Sequence, residues 1–406
     1  MSSNSLLDGL KVIDLSRVLA GPWVTQTLAD LGADVIKIER PDGGDDTRSW
    51  GPPYFEKEDG SQLSAYFMSA NRGKKSIAIN IASEAGQNLI LELVKEADVF
   101  VENFKVGDMK KKGLDYETLS SINPGLIYCS ITGFGQTGPY KDRPGYDFMI
   151  QGMSGLMSIT GESDEHPGAG PQKVGVALAD ILTGLYSTNA ILAAVNERHT
   201  SGLGQHIDMA LLDVMAAALA NQASNYLVSG DAPTRIGNAH PNIVPYQTFA
   251  SSDGHFIVAV GNNSQFSRLC ELIDRTDLSK NPDYVDNEQR VKNRQNLVAE
   301  LEAAFLTRTT VQWLKDLEAA GVPFGPINDI EQMFADEQVK ARNVEIDMDG
   351  MPLVGNPIKF SRSVIRYDRR PPSLGQDTIQ VLADELGLDD EQILKLKELG
   401  VVSSRP

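Results

Sequence analysis

The chain has 406 residues, 41% of them hydrophobic, and a formal net charge of −18; it is long enough for two or more domains with their own cores. So acidic a chain repels a phosphate backbone, which argues against nucleic acid as a partner but leaves an anionic small molecule free to bind a local basic cluster. The opening MSSNSLLDGLK lacks an apolar signal core, no run reaches the roughly 18 continuous apolar residues of a membrane helix, and Cys129 and Cys270 make no disulfide framework. The expectation is a soluble, cytoplasmic protein with no membrane partner. His166, His199, His206, His240 and His255 never fall at metal-ligand spacing, so no metal is expected.

Residues 11–48 read as a strand from Val12 to Leu15, a Gly21-Pro22 turn into a short amphipathic helix, a second strand and a charged loop. Free N–H groups in the helix's first turn, with Arg17 in that turn and Lys37 and Arg40 at the second strand's end, make a layout suited to phosphate. An ordinary βαβ unit with solvated basic residues fits this stretch equally well. Strand-like KSIAIN, ADVFVENF and GLIYCSIT follow, with helix-like NLILELVKEA between the first two, a pattern of a mostly parallel, doubly wound sheet. A long small-residue helix is expected from about Ala179 to Arg198, then a strand at QHIDMAL and one helical run from Leu211 to Tyr226. After Tyr226 the texture turns Gly-, Pro- and Asn-rich. HFIVAVG and several charged helices then read as a smaller α+β domain, before GVPFGPIND, a strand at NPIKFSR and a terminal helix begun by Asp390 and Glu391. The domain expectation is therefore 1–200 as the large domain, 201–226 as a linking strand and helix, 227–325 as the small domain and 326–406 as the return to the large one.

Gly133, Gly135 and Gly138 in TGFGQTGPY match a dinucleotide fingerprint directly after a strand, but Pro139 and KDRPGYD stand where an apolar helix is needed. They read as a tight turn. The chemistry is expected at GYDFMIQG and VGVALADILTGLYS. Asp180 closes a small-residue run and opens a helix, where a dipole contribution of ~0.3–1 kcal/mol favours an ionised carboxylate available as a nucleophile at neutral pH. N-capping alone would also account for it. Gly175, Ala177, Ala179 and Gly184 leave room beside it, and Tyr146, Asp147 and Gln151 offer polar groups.

With these residues in place the chain resembles the class III CoA-transferases, typified by formyl-CoA transferase and L-carnitine CoA-transferase, together with the α-methylacyl-CoA racemases. The resemblance runs from about Leu7 to Val402 through RVLAGP, GADVIKIERP, GD-x-TR ending at Arg48, VENF, GYD, ALAD and RHTSGLGQ, in order. It implies an interlocked homodimer of ring-like chains, each with a Rossmann-like α/β large domain and a small α+β domain. It further implies that Arg17, Val18, Leu19, Ala20, Arg40, Ile79, Asn80, Asn103, Phe104, Lys105, Lys111 and Arg143 line the CoA site. Lys74, Lys75 and the run Lys110–Lys112 are further candidates for positive charge, with Arg40 the strongest.

By the same resemblance Asp180 is the catalytic aspartate, with Tyr146 and Asp147 beside it. It attacks an acyl-CoA to give an acyl-aspartyl anhydride and then an aspartyl-CoA thioester, with no cofactor beyond CoA. Racemases also carry an aspartate there, but place a histidine where this chain has Tyr146, and a phenol with a pKa of ~10 is a poor acid–base partner for α-proton exchange. That favours transfer over racemisation; a non-catalytic acyl-CoA-binding protein would have no need of the carboxylate. The tetraglycine loop of formyl-CoA transferase is absent, its region reading GNAHPNIVPYQ (237–247), so formate and oxalate are not the expected substrates. That loop looks most like transferases acting between succinyl-CoA and dicarboxylates such as glutarate or hydroxymethylglutarate. His240 and Gln151 are then the candidate substrate contacts.

Overall fold

The apolar run that begins at Val12 forms β1 (Lys11–Asp14) in the computed structural model, which describes residues 5–404. In chain order there follow β2 (Asp34–Glu39), a small hairpin of β3 (Tyr54–Glu56) and β4 (Gln62–Ser64), and then β5 (Lys74–Ile79), β6 (Val99–Glu102), β7 (Ile127–Thr132) and β8 (His206–Ala210). A second compact unit, residues 157–173 and 231–339, holds β9 (Tyr246–Ala250), β10 (His255–Ala259) and β11 (Phe324–Pro326). The chain then adds β12 (Glu345–Met348), β13 (Met351–Val354) and β14 (Val402–Ser403) to the first unit.

The first unit is built on a sheet of order β14-β5-β2-β1-β6-β7-β8, parallel except for β14, which runs antiparallel to β5. Successive residues of each strand enter opposite cores. Ile13, Ile36, Ile77, Phe100 and Tyr128 pack on one face, and Val12, Val35, Val99, Ile127 and Cys129 on the other. Burial on both faces is why these strands read as unbroken apolar runs. The helix Glu84–Val94, capped by Ser83 accepting from the Gly86 N–H, lays Leu89, Ile90, Leu93 and Val94 on the first face. The helices Ala20–Asp30 and Leu178–Ser201 cover the second. By length and composition alone the 24-residue helix Leu178–Ser201 is apolar enough to cross a membrane, the one such helix among the described residues; in this fold its Ala179, Ile191 and Ala194 belong to the core.

Gly184 makes that helix contact possible. A Cβ there would lie 3.0 Å from both the Ala20 carbonyl oxygen and Trp23 Cδ1. Gly184 is thus filled by a neighbouring helix, and the room expected for a ligand at this position does not exist. Gly184→Val should destabilise the protein by about 1–3 kcal/mol, as overpacking does, measured as a fall in the urea midpoint; an unchanged midpoint would show that the helices separate freely.

Several expectations are corrected. The helical run 211–226 is two helices, Leu211–Ala218 and Ala220–Ser229, broken where Ala220 takes a φ of 45°. NPIKFSR is not a strand: the Asn356 amide N–H donates to the Tyr367 hydroxyl and its side chain donates to Asp30, so this backbone joins no ladder. The pairing lies just upstream, between β12 and β13. GVPFGPIND does not return to the large unit but supplies β11, antiparallel to β10. The second unit runs to Val339 and also takes in 157–173, whereas the sequence texture places it at 227–325. Its core gathers Phe249, Phe256, Phe305, Trp313 and Leu317 between the three-stranded sheet and its helices, one of which opens with a Thr309–Gln312 capping box.

Candidate active site

Counting only the parallel strands in chain order, the sheet runs 3-2-1-4-5-6, and its order reverses between β1 and β6. Ligands of open α/β sheets bind beyond the carboxyl ends of the strands at such a point. Here that position holds a cavity of about 290 Å³ walled by the ends of β1 (Leu15–Arg17), β2 (Lys37–Arg40), β5 (Ile79–Ala82) and by Phe104 after β6. Of the expected CoA-site residues, Arg17, Arg40, Ile79, Asn80 and Phe104 line it. Four basic residues line it, Arg17, Lys37, Arg40 and Lys112; Arg17 and Arg40 are both tied to Asp46, at 3.0 and 2.8 Å, and the Arg17 guanidinium lies 5.4 Å from the Phe104 ring.

The other expected CoA-site residues do not line this cavity. Val18 carries a strained φ of 71°, unusual for a β-branched residue, with its N–H held by Asp45. Leu19 and Ala20 are buried where the next helix begins. Asn103 brackets the Arg17 backbone, accepting from its N–H at 3.0 Å and donating to its carbonyl at 2.7 Å. Lys105 and Lys111 are exposed, the latter paired with Asp108, and Lys112 reaches the cavity instead. Arg143 is exposed with its guanidinium on the Tyr140 ring.

Two lysines expected to offer charge are also spoken for. Lys37 and Lys74 are buried, Lys37 bound to Asp45 and Lys74 to Asp14, each at 3.0 Å. Burial pushes the Lys74 pKa down to about 8 despite Asp14. Lys75 pairs with Asp34. These groups tie the strand ends together and leave the arginines to meet a ligand.

The GYD segment is placed by a backbone contact. Gly133, just after β7, and Gly145 approach so closely that a Cβ on either would fall about 2.5 Å or less from the other's Cα. The 133–138 glycines thus form the expected turn, and Asp147 begins the next helix, Asp147–Met153. Asp147 Oδ1 accepts from the Ala179 N–H at 2.7 Å and Oδ2 from Gln151 at 2.7 Å, while Gln151 Oε1 accepts from the Val174 N–H. The N-cap of the helix Leu178–Ser201 is Ala177, with no side-chain cap of its own; Asp147 serves its first turn from another element. Asp180, on that first turn, is therefore not a capping residue. Gln151 is fully buried with its amide engaged within the protein, where it fixes the 174–176 segment. Tyr146 is 64% exposed.

Asp180 has no ion pair among the described residues, and burial, with the nearby Asp147 charge, pushes its pKa up to about 7. The expected dipole-stabilised, fully ionised carboxylate is thus replaced by one that titrates near neutrality, because desolvation outweighs a helix end. A reaction that uses this carboxylate as its nucleophile should have a kcat/KM that falls tenfold per pH unit below a midpoint near 7 and levels off above it; a flat profile from pH 5 to 8 would contradict such a role. Tyr66 faces the same pair of acids, its phenol pushed up to about 12 by burial and by Asp180 and Asp147. Nothing in the sequence around Tyr66 marks it. His240 lies in the second unit, 5.2 Å from the Tyr246 ring, with Nδ1 accepting from the Asn242 N–H and a pKa lowered by burial and by Arg294.

A sheet of Rossmann order with an arginine-edged cavity at its switch point, and an uncompensated aspartate opening a helix, fits an enzyme that handles a phosphate-bearing thioester. The chain belongs to CoA-transferase family III, whose model matches residues 7–378, and it is a CoA-transferase. It is 52% identical to the succinate–glutarate CoA-transferase of Agrobacterium fabrum, over 93% of this chain and 95% of that protein. It is 43% identical to the human succinyl-CoA:glutarate CoA-transferase, over 99% and 91%. Its fold matches the crystal structure of a CAIB/BAIF family protein from Brucella suis with a TM-score of 0.84 and 54% identity, over 94% of this chain and all of that one.

Proposed function

We propose that this protein moves CoA from succinyl-CoA to a small dicarboxylate, glutarate foremost, using Asp180 as the nucleophile. The observation that carries this reading is the Asp180 carboxylate itself, half-buried, with no ion pair among the described residues and poised at the start of a helix. A carboxylate that must react with a carbonyl is served by the absence of an ion pair, which would hold its electrons in place. The names of the similar transferases supply the donor and acceptor class.

In the proposed sequence an Asp180 oxygen attacks the succinyl carbonyl carbon, the C–S bond breaks and CoA thiolate leaves, giving a succinyl-aspartyl anhydride. The thiolate then attacks the aspartyl carbonyl carbon and expels succinate, giving an aspartyl-CoA thioester. Glutarate attacks that carbonyl, expelling the thiolate, and the thiolate takes the glutaryl group from the second anhydride and frees the Asp180 carboxylate. Each anhydride is prone to hydrolysis, so the site must exclude water while transfer proceeds. No cofactor beyond CoA takes part. The switch-point cavity lined by Arg17 and Arg40 is the proposed seat of the CoA nucleotide, with the two guanidiniums on its phosphates. Tyr146 and Asp147 support the nucleophile, and His240 is the candidate reader of the second carboxylate.

The working form is proposed to be a homodimer, interlocked as in the resembling transferases, in the cytoplasm. Phe148, Tyr186, Leu227 and Val228 of the first unit, 58%, 47%, 79% and 89% exposed, supply the apolar surface that a second copy would cover. The test is incubation with succinyl-CoA and a panel of glutarate, hydroxymethylglutarate, oxalate and formate, followed by mass spectrometry of the acyl-CoA products. Glutaryl-CoA with wild type and none with Asp180→Ala is the expected result; no new acyl-CoA with any acceptor would refute the proposal.

A further inference from the structure

Six acidic residues are buried in the described chain: Asp14, Asp30, Glu39, Asp45, Glu102 and Asp377. Five form ion pairs, with Lys74, Arg72, Arg48, Lys37 and Arg369 respectively for Asp14, Asp30, Glu39, Asp45 and Asp377. Glu102 forms none. A buried carboxyl without a cation is costly to keep, and burial pushes this one's pKa up to about 7. What it holds is the turn after β6. Glu102 Oε2 accepts from the Phe104 N–H at 2.7 Å and its carboxyl bonds the Ser130 hydroxyl, which lies 2.9 Å from His206 Nε2. Within that turn the Asn103 side chain clamps the Arg17 backbone in both directions, and the Phe104 ring lies beside the Arg17 guanidinium at the cavity wall.

We propose that Glu102 is a positioning residue for the CoA cavity: by fixing the Glu102–Phe104 turn it sets the pose in which Arg17 meets the phosphates of acyl-CoA. The inference rests on the reading that this cavity takes the CoA nucleotide. Glu102 touches no substrate and acts through Asn103 and Phe104 on Arg17. What the turn needs is an acceptor for the Phe104 N–H, which an amide oxygen also provides.

The test is steady-state kinetics with both substrates varied for wild type, Arg17→Ala, Glu102→Ala, Glu102→Gln and the Arg17→Ala/Glu102→Ala double variant. The expected result is a KM for acyl-CoA raised about tenfold by Glu102→Ala, with kcat and the acceptor KM within twofold, and near-wild-type values for Glu102→Gln. The double variant should be no worse than Arg17→Ala alone, since both changes remove one shared contact. Should Glu102→Ala fail to fold, Glu102→Asp, whose carboxyl is one methylene short of the Phe104 N–H, carries the same expectation. An Arg17→Ala that weakens acyl-CoA while Glu102→Ala or Glu102→Asp does not, or a double variant that is additive, overturns this proposal alone. An Arg17→Ala with an unchanged KM for acyl-CoA overturns the placement of CoA in the cavity, and this proposal with it.

Discussion

Replacing Asp180 by asparagine should lower kcat for CoA transfer at least about 10⁴-fold, the scale on which removal of a covalent nucleophile acts, while leaving acyl-CoA binding within a few fold. Asparagine preserves the volume and hydrogen-bonding shape of the side chain, so the loss reports chemistry rather than packing. The same variant should be the more stable protein above neutral pH. Asp180 has a folded pKa of about 7 against 3.8 for the free side chain, so the native state holds the proton more tightly and wild-type stability declines as pH rises from about 4 to 7. Allowing for the partial exposure of the group, the asparagine variant should gain on the order of 2 kcal/mol over wild type at pH 8 and almost none at pH 4. Urea unfolding at the two pH values measures this difference. Loss of transfer without that gain would leave Asp180 as a nucleophile in a more solvated site; retained transfer would remove it from the mechanism.

The second large effect lies under the cavity. Asp14 accepts hydrogen bonds from the Ser16 N–H, from the Ser16 and Thr25 hydroxyls and from the Lys74 ammonium, at the carboxyl end of the central strand. Asp14→Ala leaves Lys74 buried at 0% side-chain exposure with Asn71 and the Pro22 carbonyl as neutral partners, and should destabilise the fold by about 3–5 kcal/mol. Asp14→Ala/Lys74→Met should recover more than half of that loss, because the unpaired charge, not the missing bridge, dominates the penalty. Although burial pushes it up, the charges of Lys74 and Lys37 and the hydrogen bonds from the Ser16 and Thr25 hydroxyls pull the Asp14 pKa down to about 2. Its stabilisation is therefore complete above the ordinary carboxylate range near 3.8 and is lost as pH falls toward 2. A double variant as unstable as Asp14→Ala would contradict this account.

The central sheet was readable because burial on both faces turns each strand into an apolar run, and because serine and aspartate caps mark several helices. The order of the strands placed the switch point where the RVLAGP and VENF segments meet, so Arg17, Arg40, Asn80 and Phe104 were within reach of motif reasoning. The role of a charge is hidden where its partner is remote in sequence. Lys74 looks like a phosphate ligand until Asp14, sixty residues away, is folded beside it. NPIKFSR has strand-like residues but its backbone is claimed by a tyrosine hydroxyl, a contact no periodicity encodes. Asp180 sits in a motif that announces a helix start, yet its protonation is set by burial and by Asp147, which only tertiary structure brings together. The unpaired Glu102 is likewise invisible in the sequence, since its distinction is the partner it lacks.

In the proposed mechanism CoA passes through a covalent bond to Asp180. Protein incubated with succinyl-CoA and no acceptor, quenched in acid and digested, should yield the peptide containing Asp180 carrying the mass of CoA as a thioester that hydroxylamine removes. The adduct should be absent from Asp180→Asn and should discharge to glutaryl-CoA when glutarate is added before the quench. An unmodified Asp180 peptide from protein that is turning over, or an adduct that persists in Asp180→Asn, would contradict it.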